Sequence, residues 1–161
     1  AFPGHYTQFL AVRNCRSIVR KAFGSSAFSE GWAHYCEQLY VDEMSNAPPE
    51  LRLHQLSMAL LRICRYLAGI QMHAKGMTYE QAVELFVNEG YLERVNAERE
   101  ARRGTVDPMY LVYTLGKMEI LKLRDEYRAR TGRSLREFHN ELLRHGYPPL
   151  PVVRKILLGE R

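Results

Sequence analysis

Apolar positions recur at intervals of three and four along the whole chain, and strand-like alternation bounded by turns is nearly absent, so the pattern predicts an all-α fold. A first helix is expected from about His5 to Phe23, carrying Phe9, Leu10, Val12, Ile18 and Val19, with Gly24-Ser25-Ser26 as its breaker. A second covers about Phe28 to Met44 and stops at Ser45-Asn46-Ala47-Pro48-Pro49, because proline cannot continue the hydrogen-bond ladder. The third is long, Pro49 to Ala74, with Leu53, Leu56, Leu60, Ile63, Leu67 and Ile70 along one side.

Thr78-x-x-Gln81 reads as a capping box opening a fourth helix that ends near Gly90, and a charged fifth helix follows from about Tyr91 to Arg103. Asp107-Pro108 supplies an N-cap and a first-turn proline for a helix reaching Arg130. At about 1.5 Å per residue that helix would span roughly 35 Å. Ser134-x-x-Glu137 caps a short helix ending at His145-Gly146, and Pro148, Pro149 and Pro151 introduce a last one to about Leu158. There is no internal repeat and no linker long enough to separate two domains, so residues 1–161 read as a single multi-helix domain.

Composition supports a packed globular chain: of 161 residues, 46% are hydrophobic and 25% charged, which excludes disordered, collagen-like and disulfide-scaffold classes. No apolar run approaches the roughly 20 residues of a spanning helix and the N-terminus lacks a signal-peptide layout, so no membrane partner is expected. The net charge of +5 is dispersed: Arg13, Arg16, Arg20 and Lys21 recur at helical spacing, and Arg99, Arg102 and Arg103 stand among Glu98 and Glu100. That is the pattern of a solvated helix face, not of a nucleic-acid footprint. Cys15, Cys36 and Cys64 form no C-x-x-C pair and read as buried reduced thiols, compatible with a reducing cytoplasm without fixing the localisation. The opening Ala1-Phe2-Pro3-Gly4-His5, without methionine, reads as a cut point within a longer protein.

Two places hold candidate chemistry. Glu30, His34 and Glu37 stand at i, i+4 and i+7, on one face of a helix beside the single tryptophan, Trp32. The face is either a solvated polar stripe or a metal site, with Glu30 as an oxygen ligand and His34 or Glu37 orienting a ligand from the second shell. His5 precedes Glu30 by 25 residues. It is either a surface or capping residue or, if the helices pack antiparallel, a partner for Glu30.

The segments Ala1-Phe2-Pro3-Gly4-His5-Tyr6-Thr7-Gln8 and Phe23-Gly24-Ser25-Ser26-Ala27-Phe28-Ser29-Glu30-Gly31-Trp32-Ala33-His34-Tyr35-Cys36-Glu37 resemble the bacterial family called domain of unknown function 885. Its helical members are similar to zinc-dependent peptidases of the gluzincin type. Further matches are Leu61-Arg62-Ile63-Cys64-Arg65 with His73, Tyr113-Thr114-Leu115-Gly116-Lys117, Leu123-Arg124 and Phe138-His139-Asn140-Glu141, so the resemblance covers nearly the whole chain.

The family's first box reads H-E-x-x-P-G-H, and Pro3-Gly4-His5 completes it, with the leading His-Glu pair falling before Ala1. The resemblance implies the C-terminal part of a larger metallopeptidase-like fold, with zinc as cofactor and a peptide as substrate. It makes His5 and Glu30 metal ligands, and the absent histidine and glutamate the third ligand and general base. The missing N-terminal part would be the chain's first partner, and the fragment alone would be inactive.

A zinc hydrolase needs a donor for the negative oxygen of its tetrahedral intermediate, and Tyr113 is the first candidate, His73 the second. Gly116, three residues after Tyr113, would permit close approach of another element. Arg124 and His139 are candidate substrate contacts, Arg124 as a carboxylate clamp. The alternative readings are a core tyrosine at 113, a helix C-terminal cation at 73 and surface pairing at 124 and 139. For the whole chain the alternatives are a non-catalytic helical interaction module and, on net charge alone, a basic nucleic-acid-binding domain.

Overall fold

The computed structural model describes residues 3–160, and every regular element among them is helical. In chain order they are α1 (Gly4–Arg13), α2 (Ile18–Ala22), α3 (Ser26–Asp42), α4 (Pro49–Ala74), α5 (Tyr79–Asn88) and α6 (Arg94–Val106), then a 3-10 turn (Pro108–Leu111), α7 (Val112–Thr131), α8 (Leu135–Leu143) and α9 (Leu150–Leu158). None of these helices is long and apolar enough to cross a membrane.

Local chemistry explains most boundaries. Thr78 and Ser134 each close a reciprocal capping box, with Gln81 and Glu137 respectively, satisfying backbone donors that the first turn leaves free. Several boundaries differ from the sequence pattern, and α6 runs on to Val106, past the expected Arg103. The expected helix over 5–23 is broken after Arg13, because the Ser17 hydroxyl accepts from the Arg20 amide and starts α2 afresh. Tyr91 takes a left-handed φ of 53°, so α6 begins at Arg94, three residues late. Asp107 does cap, but what it caps is a 3-10 turn through its bond to the Met109 amide, and α7 proper starts at Val112.

The chain forms two compact units, one made of residues up to Leu39 and from Leu115 onwards, the other of Tyr40–Thr114. Both boundaries fall inside helices, α3 and α7. In the first unit, Phe28, Trp32 and Tyr35 of α3 pack with Ile120, Leu123 and Tyr127 of α7, Phe138 and Leu142 of α8, and Leu150 and Val153 of α9. In this unit α3 and α7 meet backbone to backbone: a Cβ on Gly31 would lie 2.4 Å from the Gly116 carbonyl carbon, and one on Gly116 would lie 1.8 Å from the Ala27 oxygen. Gly146, at φ 84°, turns the chain so that the Tyr147 amide donates to the Arg20 carbonyl and the Tyr147 carbonyl accepts from Ser25. In the second unit, Cys64 and Ala68 of α4 face Ala82, Val83 and Phe86 of α5, Ala97 and Ala101 of α6, and Tyr110. Cys15, Cys36 and Cys64 are all free and buried.

Candidate metal centre

The close seat of α1 on α3 begins with a glycine. A Cβ on Gly4 would stand 2.7 Å from the Ala33 Cα, so only glycine lets the first turn of α1 approach so near. The buried Trp32 indole donates to the Gly4 carbonyl at 3.0 Å, fixing that turn against α3, as a buried indole N–H requires. The result is that His5 Nε2 lies 3.4 Å from Glu30 Oε2, with both side chains about one-third exposed at 36% and 33%. The other ring nitrogen of His5 is 3.5 Å from Ser29 Oγ.

These distances can be tested against zinc. Donors about 2.0–2.2 Å from a tetrahedral ion stand roughly 3.3–3.6 Å apart, and the His5–Glu30 separation falls in that range. A nitrogen and a carboxylate oxygen are also the donor types zinc accepts. Among the described residues no third His, Cys, Asp or Glu joins the pair as a ligand set. The residues present therefore fit as two donors of a centre that needs at least one more.

His34 is buried on α3 and Glu37 half-buried one turn on. The neighbour of the second His5 nitrogen is Ser29, a residue that helical spacing alone did not single out. Also missed was Tyr35, which brings two predicted residues together: its hydroxyl is 2.8 Å from His139 Nε2, and the Arg124 guanidinium stands 5.9 Å from its ring centre. Trp32 packs edge-on to His139 at 5.4 Å. Burial, aided by the charge of Arg124, pushes the His139 imidazole down to about 4, so it is neutral near pH 7.

Tyr113 and His73 lie in the other unit. Tyr113 sits beneath the Arg65 guanidinium, 5.9 Å from its ring centre, and hydrogen-bonds to Arg103. His73 Nε2 is 2.8 Å from the Gly104 carbonyl, a tie from α4 to α6. Gly116 does mark a close approach, that of α7 to α3.

A family described as "Bacterial protein of unknown function (DUF885)" matches residues 1–157. A solved structure of a candidate lipoprotein of unknown function from Shewanella oneidensis is similar at 36% identity and a TM-score of 0.91, over 98% of this chain and 30% of that one. A candidate lipoprotein from Colwellia psychrerythraea is similar at 30% identity and a TM-score of 0.90, over 99% of this chain and 28% of that one. The chain thus spans less than a third of the length of either. No curated protein is significantly similar to it.

Proposed function

Because the chain belongs to this bacterial family of unknown function, we propose that it contributes His5 and Glu30 as two ligands of a zinc centre in a metallopeptidase-like protein. The observation that carries the reading is the 3.4 Å between His5 Nε2 and Glu30 Oε2, donors from helices 25 residues apart in sequence. A polar stripe that merely solvates α3 has no need of an imidazole held at that distance by a second helix.

Zinc bound there supplies Lewis-acid polarisation and lowers the pKa of a water to about 7. This chain's part is to hold and orient. With its proton on Nδ1, His5 donates to Ser29 Oγ and keeps the Nε2 lone pair free for the metal, the outer-shell arrangement that fixes a ligand histidine. Trp32 holds the turn that carries His5. Arg124 and His139, in the same unit as the pair, would contact the peptide. The remaining histidine ligand and the glutamate base would precede Ala1, as the H-E-x-x-P-G-H resemblance implies.

Calorimetric titration with zinc, comparing the 161-residue chain with one extended upstream, tests this reading. Weak binding by the first and tight binding by the second is expected; equal tight binding by both contradicts it. In the extended protein, Glu30→Ala should abolish stoichiometric retention, by elemental analysis, and retention at the original level removes Glu30 from the site. A second reading, a helical interaction module, is favoured by one observation, the exposed apolar side of α4; such a module would retain no stoichiometric zinc.

A further inference from the structure

The side of α4 on which the leucines and isoleucines line up faces solvent. Leu53 is 67% exposed, Leu56 52%, Ile63 44% and Leu67 39%, while the residues that α4 buries are Gln55, Cys64, Ala68 and Gly69. From Leu53 to Leu67 the exposed positions are Leu53, His54, Leu56, Ser57, Ile63 and Leu67, with no Asp, Glu, Lys or Arg among them. The arginines of this stretch are held elsewhere: Arg62 donates to its own helix at the Met58 carbonyl, and Arg65 pairs with Glu100 at 2.6 Å; Arg52, just before it, pairs with Asp42 at 2.5 Å. An amphipathic helix normally turns its charges out and its leucines in; here the ordering is reversed over four turns.

We propose that this face of α4 is the seat of a further apolar helix from the same polypeptide, lying outside these 161 residues. Two observations choose this occupant. The similar solved chains are more than three times as long as the stretch they share with this one, so polypeptide of this kind is available to cover it. The face consists of four aliphatic side chains exposed at 39–67%, well short of the ~800 Å² per partner that a stable separate complex buries. A tethered helix avoids that requirement, because its effective concentration is on the order of millimolar. A second face fits the same explanation: in the other unit Phe9, Ile18, Val19 and Phe23 of the α1–α2 segment are exposed at 57–81%. The partner face is expected to be Leu-, Ile- or Phe-rich and uncharged, since a charge brought against Leu56 and Ile63 would be desolvated without a counter-ion.

Thiol labelling of the gene product at its natural length tests the proposal. Ser57→Cys is nearly isosteric and lies on the exposed face; Leu56→Cys is the second variant. Cys15, Cys36 and Cys64 are buried in the folded chain, and mass mapping of the peptide that carries residue 56 or 57 reads the introduced thiol by itself in both native protein and denaturant. The expected result is a monomer in which both introduced thiols react with a maleimide at least tenfold slower than in denaturant. Labelling within threefold of the denatured rate overturns the proposal. So does protection that appears only in a dimer by light scattering, which assigns the face to a second copy, or only with phosphatidylglycerol vesicles, which assigns it to lipid.

Discussion

Helix α3 meets its neighbours in the first unit through Phe28, Trp32 and Tyr35, against Ile120, Tyr127, Phe138 and Leu142, whereas α4 meets α5 and α6 through Cys64, Ala68, Ala82, Ala97 and Ala101. Rings and branched chains fill the space between helices in the first case, and backbones come into contact at glycines, where Gly4 meets Ala33 and where Gly31 crosses Gly116. In the second case small residues draw the helices together, and Tyr110 is wedged between Gly69 and Gly104, with would-be Cβ contacts of 3.0 and 3.2 Å. That ring carries its hydroxyl to Glu100, which the Arg65 guanidinium grips with two bonds of 2.6 and 2.7 Å. The first unit is therefore a hydrophobic core with tight glycine crossings, and the second a small-residue core around an ion pair. Each should fail in its own way.

Gly116→Ala strikes the tightest of these crossings and should have the largest effect. Its Cβ would meet the Ala27 oxygen at 1.8 Å and the Gly31 Cα at 2.9 Å, backbone atoms that cannot turn aside. Overpacking of that kind costs about 3 kcal/mol or more, a large part of a typical total of about 5–15 kcal/mol. The chain's single tryptophan is the buried Trp32 of this unit, so its fluorescence in a urea titration reports the loss directly. A midpoint unchanged by the substitution would show that α3 and α7 do not touch as described.

Glu100→Gln strikes the ion pair and should cost less, about 2 kcal/mol, because the side chains keep 14% and 19% of their exposure and the full penalty of a broken buried pair is discounted accordingly. Converting both partners to methionine should recover most of the loss, since no unpaired charge remains. Far-UV circular dichroism during denaturation measures both variants. A double variant as unstable as the single one would mean that Arg65 and Glu100 contribute beyond their pairing.

The same contrast explains what could be seen in the sequence. Helix α4 was delimited at both ends, and α5 and α8 were announced by Thr78-x-x-Gln81 and Ser134-x-x-Glu137, because capping is a contact between residues three apart. The closeness of His5 and Glu30 was legible through the box and its resemblance, and their side chains stand 3.4 Å apart. Ser29 and Tyr35 were not, because their roles depend on which residue of another helix arrives opposite them. The apolar side of α4 was visible as a stripe, but periodicity says only that a face is apolar, not what covers it. The break at residues 14–17 was hidden because Ser17 carries the whole signal, and one serine inside an apolar pattern is common.

The smallest effect separates the units by pH. His139, in the first unit, has its imidazole pushed down to about 4 by burial and by Arg124, from an ordinary 6.5. The unfolded chain therefore binds a proton that the folded chain refuses, and stability drains away as pH falls from about 6.5 to about 4. Glu100, in the second unit, behaves differently. Burial raises its carboxyl, but the hydrogen bonds and charge of Arg65 outweigh that and leave it below the usual 4.5. Its contribution is intact above that value and is lost only as pH falls through the lower folded value. His139→Gln keeps an acceptor for the Tyr35 hydroxyl but cannot titrate. It should remove roughly 1–2 kcal/mol of acid sensitivity above pH 4, after discounting for partial exposure, while leaving the steeper loss below it. Trp32 fluorescence followed in urea at pH 7 and pH 5 measures the difference, and an unchanged pH dependence in the variant would show that His139 is not the group refusing the proton.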